Sequence, residues 1–417
     1  MKKQFNRLTC AIFALLATQS AQAIQFDGFM TAGASIHDSG SNVYVGSLGD
    51  RGITDNLSFE TDTRFGLQIS SDISDNMSVV AQLLGTGVSG NFNATIEWAY
   101  IDYAVNDIAS IHVGKIKQPV YLVNDYVEVG YAYPWIRPPG EVYYLNNPLN
   151  TINGIEALLQ FPVGKGTLSF QPYFGSNRDD IPNAGGAYFE ADNIYGMDIK
   201  YSGKGYTVHA SDFHCNRVKT TGQLNNVPAG LLGNVNINLN GVGECNVGAV
   251  GFNLDMSNIV VYAEWQKRTT TDKLSRAFGD QTGWYTTVGY RIGKWLPHLT
   301  FASIDGDAST FGLNTTDKGA ITGSNLPPGG ANFPVAIQTS VTAGLRYEVN
   351  DSAALKVEYQ VVNVETDQGK LRDANEPGGG PAPYVNYGLF NADFSGFPGN
   401  LPTKNVGIFS VALDVIF

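Results

Sequence analysis

The chain has 417 residues, enough for two or three soluble domains or for one closed barrel, so length alone decides little. Its 48 glycines, 12% aromatic and only 15% charged residues, with a mean hydropathy of −0.10, fit many strands and turns. No run of ~20 apolar residues occurs, which argues against a helical membrane protein. The formal net charge of −12 argues against nucleic acid as a partner.

At the N-terminus, Lys2, Lys3 and Arg7 precede a short apolar core, Cys10 to Ala17, and then Ala21-Gln22-Ala23, an A-x-A cleavage pattern. Residues 1–23 therefore read as a secretory signal peptide, and residues 24–417 as the mature chain. The apolar core is too short to serve as a membrane anchor, and Cys10 lies ahead of it, not after it as a lipoprotein cysteine would. Losing the three basic residues takes the formal net charge from −12 to −15.

From Ile24 onward apolar and polar residues alternate, the period of a strand with two unlike faces. Leu57, Phe59, Thr61, Thr63, Phe65, Leu67 and Ile69 share one face, opposite Ser58, Glu60, Asp62, Arg64, Gly66, Gln68 and Ser70. The alternation predicts strands at 24–37, 57–71, 77–88, 94–104, 109–116, 151–161, 167–175 and 193–201. Further strands are predicted at 205–215, 246–256, 258–268, 282–293, 296–305, 336–348, 352–363 and 404–417. A soluble sandwich also alternates, so the links between strands carry the decision. Short links (72–76, 162–166, 202–205, 257–258, 293–296, 350–352) take turns with long polar ones, which is how outer-membrane barrels are built. About sixteen strands with long external loops and short periplasmic turns close on themselves, making the expected fold all-β, a closed antiparallel transmembrane barrel. Tyr195, Tyr201, Trp265, Trp284 and Tyr290 supply aromatic girdles for its two interfaces with outer-membrane lipid.

One stretch breaks the alternation. Residues 118–150 are dense in Tyr, Trp and Pro and carry Asp125, Glu128, Arg137 and Glu141, a mixture suited to neither a regular helix nor a membrane-facing strand. It reads as a loop folded inward to narrow a channel. Pro134, Pro138 and Pro139 stiffen it by fixing φ.

Cys215 and Cys245 flank the fifth long loop, and an even pair in an exported chain permits one disulfide. His209, His214 and Cys215 form no complete metal-ligand set, and Asp305-Gly306-Asp307 is a weak calcium pattern, so no metal and no cofactor is expected. The five histidines are dispersed and no Ser/His/Asp signature occurs, so an enzyme is not expected.

Three stretches resemble the trimeric porin family of Gram-negative outer membranes: TDTRFGLQISSDISDNMSVVAQL (Thr61–Leu83), EWAYIDYAVNDIASIHVGKIKQP (Glu97–Pro119) and the final alternating segment Asn405–Phe417. The segment GYAYPWIRPPGEVY differs from the third loop of general diffusion porins and is more similar to a distinct subgroup. The resemblance implies a homotrimer in the cell outer membrane that passes small hydrophilic solutes and ions passively. It implies that the third loop sets the constriction, with Asp125, Glu128 and Glu141 as its acidic side and Arg64, Lys115 and Lys117 as its basic side. Lys115 shares parity with Ile111 and Val113, so it faces inward only if Gly114 marks a bulge that flips the register. Tyr131, Tyr133 and Trp135 are candidates for an aromatic path in a substrate-selective porin, or for packing of the loop against the wall. Arg291, Arg346, Lys356, Glu264, Glu348 and Glu358 are expected in a wet lumen. Phe417 is the family's terminal aromatic assembly signal. A non-conducting barrel that binds partners through its long loops is the other reading.

Overall fold

The computed structural model describes residues 24–38, 52–87, 92, 94–143, 150–180, 188–221, 241–271, 280–306, 338–364 and 405–417, with short strands at 43–44, 223–228, 234–238, 321–322 and 390–391. The expected signal peptide and Asp307 lie outside the described residues.

Sixteen antiparallel strands close into one barrel. In chain order they are β1 (Gln25–His37), β2 (Arg64–Ser74), β3 (Met77–Thr86), β4 (Ala94–Asn106), β5 (Ala109–Lys117), β6 (Thr151–Val163), β7 (Gly166–Asp180) and β8 (Tyr188–Gly203). There follow β9 (Tyr206–Thr221), β10 (Gly241–Met256), β11 (Ile259–Thr270), β12 (Gln281–Tyr290), β13 (Trp295–Gly306), β14 (Gln338–Asn350), β15 (Ala353–Val364) and β16 (Asn405–Ile416). Each strand pairs with its sequence neighbours, and β1 closes the ring by pairing with β16 in the register Phe29↔Ile416. Links at one end are two to four residues long, and Gly164 and Gly205 take positive φ in two of these turns, a conformation glycine adopts without penalty. The long links all fall at the other end, and residues 118–150 form the third of them.

Period-two alternation decides what faces lipid. Val208, Val250, Leu299, Phe301 and Leu413 are exposed on the outside, while the intervening Thr287, Thr300 and Ser410 are buried inside. Tyr195, Trp265, Trp284 and Tyr290 are exposed on the outer face as expected, and Trp265 pairs directly with Trp284. Apolar outside and polar inside is the reverse of a soluble sandwich, and it gives a barrel that sits in a membrane. The seam carries Phe417, which exchanges backbone hydrogen bonds with Gly28 at 2.7 and 2.9 Å. Its ring lies over Gly28, where a Cβ would collide with it, and stacks on Phe65 with centroids 6.3 Å apart.

Two boundaries differ from expectation for physical reasons. β2 begins at Arg64, not at residue 57: Ser58 makes an isolated bridge to Ser35, and the chain then turns so that the carboxylate of Asp62 is buried in the barrel mouth. The Leu57–Thr61 alternation is therefore loop. β7 and β8 run several residues beyond the predicted ends, because their polar tips lie above the membrane belt, where alternation is no longer enforced.

Candidate functional site

The third loop leaves β5 at Gln118 and turns into the lumen. Among the described residues its sequence forms single turns there, at Asn124–Tyr126, Gly130–Ala132 and Gly140–Tyr143, as its prolines allow. A loop without a regular ladder must satisfy its backbone elsewhere, and the barrel wall supplies the partners.

The loop's first segment is held by β9 and β11. Ser211 Oγ donates to the Val120 carbonyl at 2.5 Å, and Leu122 N donates to Glu264 Oε1 at 2.8 Å. The Tyr143 hydroxyl, at the far end of the loop, donates to Glu264 Oε2 at 2.5 Å, so one carboxylate ties both limbs together. Lys356 on β15 donates to the carbonyls of Gly130 and Trp135, both at 2.6 Å, and pairs with Asp414 on β16 at 2.8 Å. Asp414 also accepts from Thr31 on β1. Gly130 is required at this approach, because a Cβ there would collide with the Asp414 carboxylate. Arg346 on β14 donates to the carbonyls of Tyr131 and Tyr133, and Glu358 accepts from Ile136 N at 2.9 Å.

Arg137 closes the arrangement from above. Its guanidinium meets the buried Asp62 of the first external loop at 2.5 Å and reaches Ser35 and Ser410 on β1 and β16. Burial alone would raise the Asp62 carboxyl, but Arg137 beside it and the Ser35 hydroxyl outweigh this and hold it below its ordinary value of 3.8. Burial pushes the Tyr133 and Tyr143 hydroxyls up, with Glu264 adding to the effect at Tyr143.

The aromatic residues fill what remains. Trp135 is 1% exposed, donates to Thr287 and Thr300 at 2.9 and 3.1 Å, and packs edge-on against Tyr262 and Tyr285. Tyr133, also 1% exposed, lies against Trp135 and under the Lys356 ammonium. Neither ring faces water, so these two serve to pack the loop and not to line a path, which corrects the aromatic-path expectation for them. Tyr131 leans on Arg346 and donates to the Asp351 carbonyl in a periplasmic turn.

The inner wall is consequently divided. Across β11–β16, inward side chains such as Gln266, Thr287, Thr300, Lys356 and Asp414 are fully buried beneath the loop. Lys356, Glu264 and Glu358 are thus not lumen charges kept by water, as expected from sequence, but dry groups bonded to loop backbone. Across β2–β8, Gln68, Ser70, Tyr100, Asp102, His112 and Lys200 stay partly exposed. This second half is the part of the inner wall that the loop leaves uncovered.

The loop edge facing it carries two of the predicted acids. Glu128 pairs with Arg64 on β2 at 3.0 Å, and Asp125 pairs with Lys200 on β8 at 3.2 Å. On the wall between them, His112 Nδ1 lies 2.6 Å from Glu156 and Nε2 lies 3.4 Å from Asp102, with the Tyr100 ring 4.8 Å from the imidazole. Gln171 donates to the other oxygen of Glu156.

Of the predicted site residues, Arg64 and Glu128 meet each other, and Asp125 meets Lys200. Glu141 stands apart: it is fully buried behind the loop and accepts from Gln338 at 2.9 Å. Lys115 faces outward, since the β4–β5–β6 register runs unbroken through Gly114, Val113 beside it is exposed, and Ile116 is buried. Its ammonium reaches the Ile96 carbonyl at 2.7 Å. Lys117 pairs locally with Glu97 at 2.5 Å. Gly114 is needed for a close strand approach, a Cβ there meeting the Ala99 carbonyl, and not for a flip of register. Asp102, His112, Glu156 and Lys200 escaped the sequence reading. Parity could have found them, for His112 lies between outward Ile111 and Val113, and Asp102 between exposed Ile101 and Tyr103. Cys215 and Cys245 are buried and directly opposite each other on β9 and β10. Among the described residues no group of three or more His, Cys, Asp or Glu is placed to hold a metal ion.

Neither a family model nor a curated protein matches the sequence. Solved structures do. A loop L8 deletion mutant of OmpT, an outer membrane protein of Vibrio cholerae, is similar at a TM-score of 0.55 and 10% identity, over 95% of this chain and 100% of that one. The anion-selective porin from Comamonas acidovorans is similar at a TM-score of 0.54 and 13% identity, over 95% and 100%. Salmonella typhi OmpF in complex with daunomycin is similar at a TM-score of 0.52 and 15% identity, over 95% and 98%. At these identities the likeness is one of fold, and it agrees with the closed sixteen-stranded barrel. The chain is an integral outer-membrane β-barrel with the fold of the sixteen-stranded porins.

Proposed function

We propose that the protein is a passive channel for small hydrophilic solutes and ions, working as a homotrimer. The observation that supports this most directly is the division of the inner wall: most of the loop's bonds go to β11–β16, and a partly exposed charged strip remains along β2–β8. Arg64 and Lys200 each meet a loop acid there, while Asp102 and Glu156 share one imidazole, so carboxylates outnumber fixed cations along the strip. Fixed charges of both signs orient polar solutes, and apolar solutes fail to displace the ordered water. The excess of carboxylates favours cations. A trimer form is described for one similar structure, V. cholerae OmpT folded in vitro, which supports the same assembly here.

Reconstitution into a planar bilayer tests the reading. Stepwise conductance is expected, with a reversal potential in a salt gradient on the cation side. A folded barrel that gives no conductance steps would refute it.

A further inference from the structure

We propose that Cys215 and Cys245 form a redox clasp at the base of the fifth external loop, a bond that holds the external sheet above it to the barrel. The two residues are direct cross-strand partners on β9 and β10. Residues directly opposite in an antiparallel pair have Cα atoms ~4.5–5.5 Å apart, inside the ~4.4–6.8 Å range of disulfides, so the bond needs no backbone rearrangement. Both side chains are on the inner face, beside Phe213 and Val247, and both are buried.

Their position gives the bond a task. Immediately above the pair the ladder loses register, and pairing resumes only at Val218↔Gly243. Beyond lies a hairpin, Gln223–Pro228 with Asn234–Asn238, whose second strand also pairs with Ile321–Thr322 of the seventh external loop. The irregular step between pair and hairpin interrupts the ladder of this extension, and a covalent link just below it fixes where the extension begins. Because a buried pair is poorly reached after folding, the bond forms while the exported chain is still open. The two thiols lose two protons and two electrons, and an acceptor disulfide, such as oxidised glutathione or an exported thiol oxidase, takes them up and becomes two thiols.

The test uses the wild-type protein isolated from the outer membrane without reductant. It is equilibrated with oxidised glutathione, unfolded in the presence of N-ethylmaleimide and weighed by mass spectrometry. The clasp predicts no adduct, a mass lighter by two hydrogens, and two adducts after prior reduction. Two adducts without reduction, one adduct with one glutathione, or a disulfide-linked dimer on a non-reducing gel would each overturn it. A second measurement follows trypsin cleavage within 216–244, which contains Arg217 and Lys219, on the folded barrel. A Cys215→Ala/Cys245→Ala variant is expected to be cleaved several-fold faster than the unreduced wild type while its barrel stays heat-resistant on a gel, and equal rates in the two proteins overturn the structural role.

Discussion

Replacing Lys356 with Met tests the claim that the third loop is bonded to the wall and not merely resting on it. Lys356 and Asp414 have side chains only 1% and 2% exposed, so solvent screens the pair little. Removing the ammonium leaves a buried carboxylate whose remaining neighbour is the Thr31 hydroxyl, and it strips the donor from the Gly130 and Trp135 carbonyls. Breaking a buried ion pair in this way costs about 3–5 kcal/mol. The barrel ladder does not share the loss, since the β15–β16 register runs unbroken from Ala353 to Asn363. The cost therefore falls on the loop's attachment, and at ~1.4 kcal/mol per factor of ten the detached population rises by on the order of 100-fold or more. Single-channel recording reads this as flicker between the normal level and a larger one, where the loop has left the wall. The double variant Lys356→Met/Asp414→Leu removes the stranded charge but not the loss of the donor to the Gly130 and Trp135 carbonyls, so it should recover part of the quiet trace, a coupling that separates attachment from general damage. If the single variant is as quiet as wild type, or the double variant is as noisy as the single, the reasoning fails.

Four further outcomes are expected. Because the folded Asp62 carboxyl is held below 3.8, its contribution is complete above that pH and is lost as pH falls through the folded value; wild type should gain acid-induced flicker below about pH 3.8, and an Asp62→Asn variant should lack that pH step. Glu128→Gln should shift the reversal potential toward anions, whereas Glu141→Gln, buried behind the loop, should leave it unchanged. Asp102→Asn/Glu156→Gln should shift it toward anions more than Glu128→Gln alone, since it removes two carboxylates from the hydrated half; an unshifted potential would place the water path elsewhere. Phe417→Ala removes the ring over Gly28 and should lower the yield of heat-resistant barrel on a gel, with normal yield refuting a role at the seam.

All sixteen strands were legible in the sequence, because each must present lipid on one face and polar or packed groups on the other, and that constraint writes a period of two into the chain. Legibility ends where the constraint ends. Residues 57–63 continue the alternation by composition, yet they are loop and not strand, and Asp62 is buried there against Arg137, distant in sequence. Parity puts Arg64 on the polar face and leaves Lys115 open, and the unbroken register through Gly114 resolves that case outward. Glu141 and Glu128 look alike as acids on one loop. Only the path of the loop distinguishes them, one facing Gln338 behind it and the other Arg64 ahead of it.

The same limit explains why the charged residues of β11–β16 were assigned to water. In a barrel an inward Lys or Glu on a strand is normally hydrated, and nothing in the local sequence of Lys356, Glu358 or Glu264 says otherwise. What changes their environment is the composition of the loop. A segment with Pro134, Pro138 and Pro139 cannot build a ladder of its own, so its carbonyls and N–H groups must be met by the wall, and a wall group meeting a carbonyl must be a donor. Lys356 and Arg346 supply donors to Gly130, Tyr131, Tyr133 and Trp135, while Glu358 and Glu264 accept from Ile136 and Leu122. The unusual loop and the charges on the opposite strands are two halves of one set of hydrogen bonds. A substitution on the wall that leaves the barrel intact should therefore alter the channel through the loop, and this is why Lys356, which touches no hydrated residue of β2–β8, is expected to control the current.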